Sequence, residues 1–306
     1  MSPRSIVVLC GPTASGKSAA AIDLAERIGG EIVSCDSLAV YRGLDIGTAK
    51  PSRWERATVP HHLIDLVDPQ EPFTAARYVE EADRAIAAIG ARGRTPVVVG
   101  GTGLYLRALV EGLFPSLPPN PEVRARLQAE AAAHGWPALH ERLVRVDPTA
   151  ADRIAPSDPI RIERALEVYE QTGRTISQQQ AESAPQVPRY RTMTLVLEPS
   201  RAELEQRIMV RTEAMLAAGL IEETRAALAA FGRGIKPLGA VGYKQVVAFL
   251  DGARVDRAAL AQAITTATRQ FAKRQCTWFT KTQGQRFAAP AEILGAIGTV
   301  EQFLHG

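Results

Sequence analysis

The sequence predicts an α/β fold in which a parallel sheet has helices on both faces and is interrupted by a helical insertion domain. Short apolar runs alternate with amphipathic helical patterns along the chain, which is typical of parallel sheets. The runs lack the in-and-out polarity of half-exposed strands, so both faces of the sheet should be buried. Of the 306 residues, 46% are apolar and 23% are charged, which suits a packed globular core.

Four strands can be placed in order along the chain. We predict them at residues 5–10, 31–36, 95–100 and 192–198. A helix follows the first strand and ends at the pair Gly29-Gly30, because glycine readily ends a helix. The second and third strands are separated by a further predicted helix, which spans residues 78–90.

The insertion begins in a stretch that carries four prolines between residues 115 and 121. Only helical signals occur from there to Pro188. We therefore predict a helical insertion domain at residues 115–190, between two parts of one core, residues 1–114 and 191–306.

Capping signals mark several of the remaining helices. Asp147-Pro148 and Asp158-Pro159 each pair an N-cap residue with a proline at the first helical position. A capping box begins another helix at Ser200, and a long helix is predicted at about residues 256–283. The glutamines at 178–180 are expected to lie in a mobile loop.

Charge is unevenly distributed along the chain. Residues 225–286 contain eleven Lys or Arg and two acids, a net charge of +9, and the other residues sum to −6. A basic block on a slightly acidic body indicates a polyanionic partner that binds at one place. The three cysteines are widely spaced without a C-x-x-C pair, which fits a reducing cytoplasm and indicates no zinc site. We expect neither a signal peptide nor a membrane span, because no apolar run is long enough.

A glycine-rich turn after the first strand fits the pattern G-x-x-x-x-G-K-[ST]. This phosphate-binding motif requires a strand before it and a helix after it, so the core is predicted to be P-loop NTPase-like. Backbone amides and the helix N-terminus would hold an oligophosphate, the lysine would add a mobile charge, and the last serine suits Mg²⁺, directly or through water. The predicted phosphate-binding residues are Gly11, Pro12, Thr13, Ala14, Ser15, Gly16, Lys17 and Ser18.

The ends of the second and third strands supply the next candidates. Ligands of open parallel sheets bind beyond the carboxyl ends of the strands, where Asp36 and Thr102 should emerge beside the P-loop. Asp36 can act as a base, accept a hydrogen bond from an acceptor group, or merely cap a turn. Gly100-Gly101-Thr102 stands where a Walker B strand would end in a carboxylate. This disfavours a nucleotide-hydrolysing motor but not a small-molecule kinase.

Several longer segments carry the pattern of one family. They are GPTASGKS at 11–18, DSLAVYRGLDIGTAKP at 36–51, PHHLID at 60–65, VGGTGLYLRALVEGL at 99–113, DPIRIERALEVYEQTG at 158–173, VGYKQ at 241–245 and TRQFAKRQCTWF at 268–279. Together, and in this order, they resemble the bacterial tRNA dimethylallyltransferases, the tRNA isopentenyltransferase family. Each segment is a weak signal alone, but the combination is very specific.

The resemblance implies transfer of a dimethylallyl group from dimethylallyl diphosphate to the exocyclic amine of adenosine 37, beside the anticodon of a tRNA. It implies that residues 13–18, with Mg²⁺, and Arg211 hold the donor diphosphate. It also implies that Asp36 is the base or amine acceptor and that Thr102 hydrogen-bonds the adenine. We expect a monomer that binds the anticodon stem-loop.

The resemblance also marks positions at which the family touches tRNA. In this chain they are Asp36, Ser37, Leu38, Ala39, Thr102, Arg124, Ile160, Arg161, Ile162, Glu163, Arg164, Val241, Gly242, Tyr243 and Lys244. Many members carry glutamine where this chain has Ala39, which leaves that contact open.

Some charged positions allow two interpretations. Arg207 and Arg211 lie four residues apart on one helix face, where they either pair with nearby glutamates or reach the phosphate site. Arg161 and Arg164 form either a charged helix surface or an RNA contact.

The long basic helix leaves a similar choice. Arg269 with Lys273, and Arg274 with Trp278, are each spaced for a basic and aromatic RNA-binding stripe, although Trp278 could equally belong to the core.

Three hypotheses for the function remain. The first is the tRNA prenyltransferase, the second a small-molecule P-loop kinase, and the third a nucleotide-regulated RNA-binding protein without catalysis. The basic block argues against the second hypothesis. The expected convergence of Lys17, Asp36 and Thr102 argues against the third.

Overall fold

The computed structural model describes residues 4–113, 117–182, 188–253 and 256–306. Its strands are β1 (Ser5–Cys10), β2 (Gly30–Cys35), β3 (His61–His62), β4 (Thr95–Gly100), β5 (Arg191–Leu197) and β6 (Gln285–Phe287). They form one sheet in the order β3-β2-β4-β1-β5-β6, and every pairing is parallel. The predicted α/β class is confirmed, and the four predicted strands begin and end within one residue of those observed.

Both faces of the sheet are buried, as the absence of in-and-out polarity predicts. In the central strand β1, Ile6, Val8 and Cys10 belong to one core cluster, whereas Val7 and Leu9 belong to a second cluster on the other face. All five side chains are at most 1% exposed. The sheet is therefore a central layer between two layers of helices.

The helices are α1 (Lys17–Arg27), α2 (Arg53–Thr58), α3 (Ala75–Ala91), α4 (Gly103–Glu111), α5 (Pro121–His134), α6 (Trp136–Val146), α7 (Pro148–Ala151), α8 (Pro159–Thr172), α9 (Ile176–Glu182), α10 (Arg201–Ala217), α11 (Leu220–Phe231), α12 (Tyr243–Leu250), α13 (Arg257–Phe279), α14 (Pro290–Gly295) and α15 (Ile297–His305). Helices α3, α4 and α11 to α13 contribute to the first core cluster, and α1, α14 and α15 to the second. None of the helices in the described ranges combines the length and apolarity needed to cross a bilayer.

The chain divides into two compact units. Met1–Val110 and Pro188–Gly306 form the sheet-containing unit, and Glu111–Val187 form a helical unit. These limits lie within four residues of the predicted domain boundaries. The helical unit has its own core, to which Leu127, Leu139, Leu143, Ile162 and Leu166 contribute.

Side-chain caps start the helices of the insertion where the sequence predicts them. Asp147 accepts a hydrogen bond from Ala150 N at 3.0 Å, and Asp158 accepts one from Arg161 N at 3.1 Å. The glutamines at 178–180 lie within helix α9, so the predicted mobile loop is wrong at these positions. Three consecutive glutamines give no apolar helical pattern, although this helix packs on α7 and α8.

Two short strands of the sheet are not predicted from the sequence. The pair His61–His62 forms β3 and Gln285–Phe287 forms β6, and neither is among the four predicted strands. Both are edge strands of only two or three residues, and most of their side chains are polar, so they have neither the length nor the apolar pattern of a recognisable strand. His62 is held by Glu31, whose Oε2 lies 2.7 Å from His62 Nε2.

The loop after β2 is fixed by a buried lysine. The side chain of Lys50 is 1% exposed, and its Nζ donates to Tyr41 O at 2.6 Å and to carboxylates of Asp45 and Asp65 at 2.7 and 2.6 Å. Burial alone would raise the pKa of Asp65, but hydrogen bonds from Lys50 and Arg56 hold it below its usual value. The loop is therefore tied to the segment that follows β3.

We predict that Lys50→Met lowers the free energy of unfolding by about 2 kcal/mol at pH 7. This is less than the loss for a fully buried pair, because both carboxylates reach solvent. A carboxylate with a depressed pKa contributes stability above its unfolded pKa and loses it as the pH falls through the folded value. The difference between Lys50→Met and wild type, measured by urea denaturation, should therefore shrink below about pH 4. Lys281→Met, at an exposed position, serves as the control, and an equal loss in both variants would contradict the prediction.

Candidate active site

The P-loop lies between β1 and α1, and two of its residues adopt left-handed backbone conformations. Ala14 has φ +63° and Gly16 has φ +91°, which turns successive backbone amides toward one side of the loop. A Cβ at Gly16 would lie 2.8 Å from Pro290 Cγ, so glycine is required there for space as well as for conformation. Ser15 is fully buried at the base of the loop.

Lys17 folds back over the loop that precedes it. Its Nζ donates to Pro12 O at 3.1 Å. Burial, reinforced by the positive charge of Arg211, lowers the pKa of Lys17 to about 8, and Asp36 opposes this shift. Lys17 forms no ion pair with a described carboxylate, so its lowered pKa marks a positive charge prepared for a negatively charged ligand.

Two arginines of α10 close one side of the loop. Arg211 Nη1 donates to Thr13 Oγ1 at 3.2 Å, and Arg207 Nη1 donates to Ser15 O at 2.9 Å. Burial lowers the pKa of Arg211, and Asp36 partly offsets this. Arg207 also lies 3.7 Å from Glu203, so both interpretations of this residue hold in part.

The same face of α10 lines an open cleft. The volume of the cleft is about 460 Å³. Its lining residues are Glu203, Gln206, Arg207, Val210 and Arg211.

Asp36 and Thr102 meet at the carboxyl end of the sheet, as the strand order of an open parallel sheet predicts. Asp36 Oδ1 accepts from Leu38 N at 2.8 Å and Ala39 N at 3.2 Å, whereas Oδ2 has no hydrogen-bond partner among the described residues. Thr102 Oγ1 accepts from Ser37 N at 3.2 Å, which leaves its own proton available to donate. One oxygen of Asp36 thus caps the turn, and the other can contact a substrate.

Gln275 on α13 contacts two parts of the site, and no local sequence pattern predicts a role for it. Its Oε1 accepts from Thr13 N at 2.8 Å, and its Nε2 donates to Gly101 O at 2.9 Å. The only available signal was its place in the family segment at 268–279, because nothing local distinguishes it from Gln270 on the same helix.

Two of the larger side chains at predicted tRNA-contact positions are buried in this structure. Tyr243 is 0% exposed and donates from its hydroxyl to Glu223 Oε1 at 2.7 Å, and Ile162 is 0% exposed in the core of the helical unit. Both side chains make internal contacts here, so a contact with RNA at these positions would use the backbone, and the predicted tRNA contacts at both positions stay predictions. The neighbouring positions Lys244 and Arg161 are exposed.

The tyrosine belongs to a loop-holding cluster. Glu223 also accepts from the backbone amides of Asp45, Ile46 and Gly47 at 2.7, 2.8 and 3.0 Å. A Cβ at Gly47 would lie 2.4 Å from the ring of Tyr243, so this glycine lets the loop rest on the aromatic ring.

The arginines predicted to contact tRNA on the insertion are mostly engaged within it. Arg124 and Arg164 both donate to Glu167, whose side chain is fully buried. Burial would raise the pKa of Glu167, but these two arginines lower it overall. Arg161, 62% exposed with Asp158 at 3.5 Å, and Ile160, 79% exposed, remain accessible.

Other predicted contact positions differ in exposure. Val241 and Glu163 are partly exposed, and Gly242 is buried. Ser37 and Leu38 are partly exposed, whereas Ala39 is only 5% exposed. Trp278 packs on the sheet-side core and beneath Arg107, 5.3 Å from its ring centroid, which favours the core interpretation.

We predict that binding of inorganic diphosphate takes up a proton through Lys17 at alkaline pH. At pH 9 most of the free protein carries neutral lysine, because its pKa is about 8, and the bound anion raises that pKa. Calorimetry in buffers of different ionisation enthalpy should give more proton uptake at pH 9 than at pH 7. The variant Lys17→Arg stays charged at both pH values, so its proton uptake comes from the ligand alone. Subtracting this value leaves the uptake by Lys17. Equal uptake by wild type and this variant at pH 9 would contradict the assignment.

Comparison with known proteins gives a consistent result. A family model described as IPP transferase matches residues 39–282, and one described as isopentenyl transferase matches residues 4–65. A tRNA dimethylallyltransferase from Anaeromyxobacter dehalogenans is 50% identical over 285 residues, which is 93% of this chain and 95% of that protein. One from Halorhodospira halophila is 50% identical over 310 residues, covering 96% and 99%.

Solved structures resemble the chain over nearly its whole length. The tRNA isopentenylpyrophosphate transferase of Bacillus halodurans has a TM-score of 0.72 and 35% identity, and the match covers 99% of this chain and 97% of that one. A eukaryotic dimethylallyltransferase acting on tRNA has a TM-score of 0.79 and 26% identity, covering 98% and 77%. The P-loop, the paired Asp36 and Thr102 and these matches together show that the chain belongs to the IPP transferase family.

Proposed function

We propose that this protein transfers a dimethylallyl group from dimethylallyl diphosphate to the exocyclic amine of adenosine 37 in the anticodon stem-loop of a tRNA. One observation carries the proposal. A phosphate cradle with Lys17 and Arg211 opens at the same sheet edge as Asp36, whose second carboxylate oxygen is unpartnered among the described residues. The names of the relatives support the same donor class and the same acceptor.

The donor half of the site stabilises a leaving diphosphate. Cleavage of the carbon–oxygen bond builds negative charge on the diphosphate, so fixed cations and amides bind the transition state more tightly than the substrate. The P-loop amides, Lys17 and Arg211 supply these groups. Arg207 holds the loop through Ser15 O, which keeps the amides directed at the leaving group.

The acceptor half removes a proton. As the adenine nitrogen bonds to the allylic carbon, the carbon–oxygen bond breaks, diphosphate leaves, and the amine proton passes to Asp36 Oδ2. The Thr102 hydroxyl donates to the edge of the adenine while its oxygen accepts from Ser37 N. Asp36 and Thr102 lie beside the P-loop at this edge of the sheet. The adenine must therefore leave its base stack to reach them.

The oxygen groups near the P-loop fit Mg²⁺. Ser18 is exposed in the first turn of α1, and no described residue hydrogen-bonds its hydroxyl. No cluster of three or more His, Cys, Asp or Glu in the described part of the chain could hold a metal alone, so the ion would be held by the diphosphate, water and Ser18. Bound there, Mg²⁺ would neutralise negative charge on the leaving group.

The tRNA-binding surface is proposed to include the exposed cations of the basic block. Lys244, Lys273, Arg274 and Lys281 are exposed, and none forms an ion pair with a described residue. Cations without acidic partners are free to neutralise phosphates. On the helical unit, Ile160 and Arg161 are the accessible members of the predicted set.

The deciding experiment offers unmodified tRNA with labelled dimethylallyl diphosphate or labelled ATP. Label transferred from the prenyl donor supports the proposal, and label from ATP alone would favour the kinase hypothesis. Binding without transfer from either donor would favour a regulated RNA-binding protein. All proposed active-site groups come from one chain, so we propose an active monomer, to be tested by sedimentation. We also propose that the protein acts in the cytoplasm, to be tested by fractionation of cells.

We predict that Asp36→Asn lowers kcat by about 10²–10⁴-fold, the typical contribution of a positioned general base. Asparagine keeps the Oδ1 atom that caps Leu38 N and Ala39 N but cannot take the proton. The tRNA dissociation constant, measured by fluorescence anisotropy, should change less than about twofold. Asp36→Ala, which also removes the cap, is the comparison, and it should weaken tRNA binding as well. Normal turnover by Asp36→Asn would remove Asp36 from the chemistry.

A second prediction concerns phosphate contacts. Lys244→Ala and Lys273→Ala should each weaken tRNA binding and reduce the slope of log K against log salt by about one unit. Arg27→Ala is the control, because Arg27 is exposed at the C-terminus of α1, far along the helix from the P-loop. A slope that stays unchanged in a lysine variant would place that lysine outside the interface.

A further inference from the structure

Gln275 connects the two halves of the proposed site. The side chain of Gln275 is buried, and its two hydrogen bonds reach residues 262 and 174 positions away in the chain. One partner is Thr13 N in the P-loop, and the other is Gly101 O, at the end of β4. Because the amide oxygen accepts and the amide nitrogen donates, only one orientation of the side chain satisfies both partners.

The two contacts extend to the reacting groups on either side. Thr13 Oγ1 accepts from Arg211, which is proposed to hold the diphosphate, so the Gln275–Thr13 bond fixes the residue that orients this arginine. Gly101 precedes Thr102, whose hydroxyl holds the amide next to Asp36. A continuous series of hydrogen bonds and peptide units therefore runs from the diphosphate side to the base.

The backbone around Gly101 is shaped for this contact. A Cβ at Gly101 would lie 2.5 Å from Gln275 Nε2, and a Cβ at Gly103 would lie 2.2 Å from Trp278 Nε1. Both distances are shorter than any side chain tolerates, so glycine at each position lets α13 approach the end of β4. Helix α13 therefore packs closely enough for the side-chain amide of Gln275 to reach Thr13 N and Gly101 O.

We propose that Gln275 is a positioning residue that sets the distance between the diphosphate cradle and the base Asp36. The inference rests on the proposed prenyl transfer. It adds a residue that touches neither substrate and acts through Thr13 and Gly101. Transfer requires the allylic carbon to lie within about 3.5 Å of the attacking amine, so a small shift between the two halves should slow the chemical step.

The test uses Gln275→Met, which keeps the length and most of the volume of the side chain but removes both hydrogen bonds. We expect the single-turnover rate at saturating tRNA and donor to fall about 10- to 100-fold. The tRNA dissociation constant should change less than about twofold. A purely structural residue would instead lower the thermal midpoint and leave the rate of the folded protein unchanged.

The matched control is Gln262→Met on the exposed face of the same helix, which should behave as wild type. Gly101→Ala supplies an independent variant in case Gln275→Met does not fold, since the new methyl group displaces the Gln275 amide. If both act through one contact, the double variant should be no slower than the slower single variant. A wild-type rate in Gln275→Met, or additive effects in the double variant, would overturn the proposal.

The outcome can be separated from failure of the proposed function. If wild-type protein does not transfer the prenyl group at all, the proposed function fails. Calorimetry with inorganic diphosphate then still compares wild type and Gln275→Met. A weaker affinity in the variant would keep the Gln275 contact to the P-loop as a ligand-positioning contact, and an equal affinity would remove it.

Discussion

Three neighbouring parallel strands end in register with one another, and this determines where the chemistry can occur. Cys10, Gly100 and Cys35 are register partners across β1, β4 and β2, so the segments that follow these strands leave the sheet at the same height. A Cβ at Gly100 would lie 2.0 Å from Cys35 O, so the strands can pair this closely only with glycine there. The P-loop, Asp36 and Thr102 are close together because of this register.

Electrostatics then separates the functions of the two halves. The donor half gathers Lys17, Arg207 and Arg211 around backbone amides, and burial lowers the pKa of Lys17 and of Arg211. Among the described residues Lys17 and Arg211 form no ion pair, so their burial destabilises the charged forms until an anion binds. On the acceptor half, one oxygen of Asp36 is committed to the turn, and its second oxygen is left for the substrate.

The sequence predicted the parts of the fold that have strong local signals. The P-loop, the long apolar strands and the capped helices depend on neighbouring residues, and all were placed correctly. Strands β3 and β6 could not be predicted, because a strand of two or three residues exists only through its partner in the sheet. Gln275 was missed for the same reason: its role depends on Thr13 and Gly101, which are distant in sequence.

The family pattern combined two kinds of residue that only the structure separates. Lys244 is exposed, and the adjacent Tyr243 is buried against Glu223, which holds the amides of the loop at 45–47. On the helical unit, Arg161 is exposed, whereas Arg124 forms an ion pair with the buried Glu167. In each pair the buried contact fixes the backbone from which an exposed residue extends. A motif in this protein therefore includes exposed residues that can bind RNA and buried residues whose hydrogen bonds hold the backbone in place. Loss of either kind of residue should weaken RNA binding.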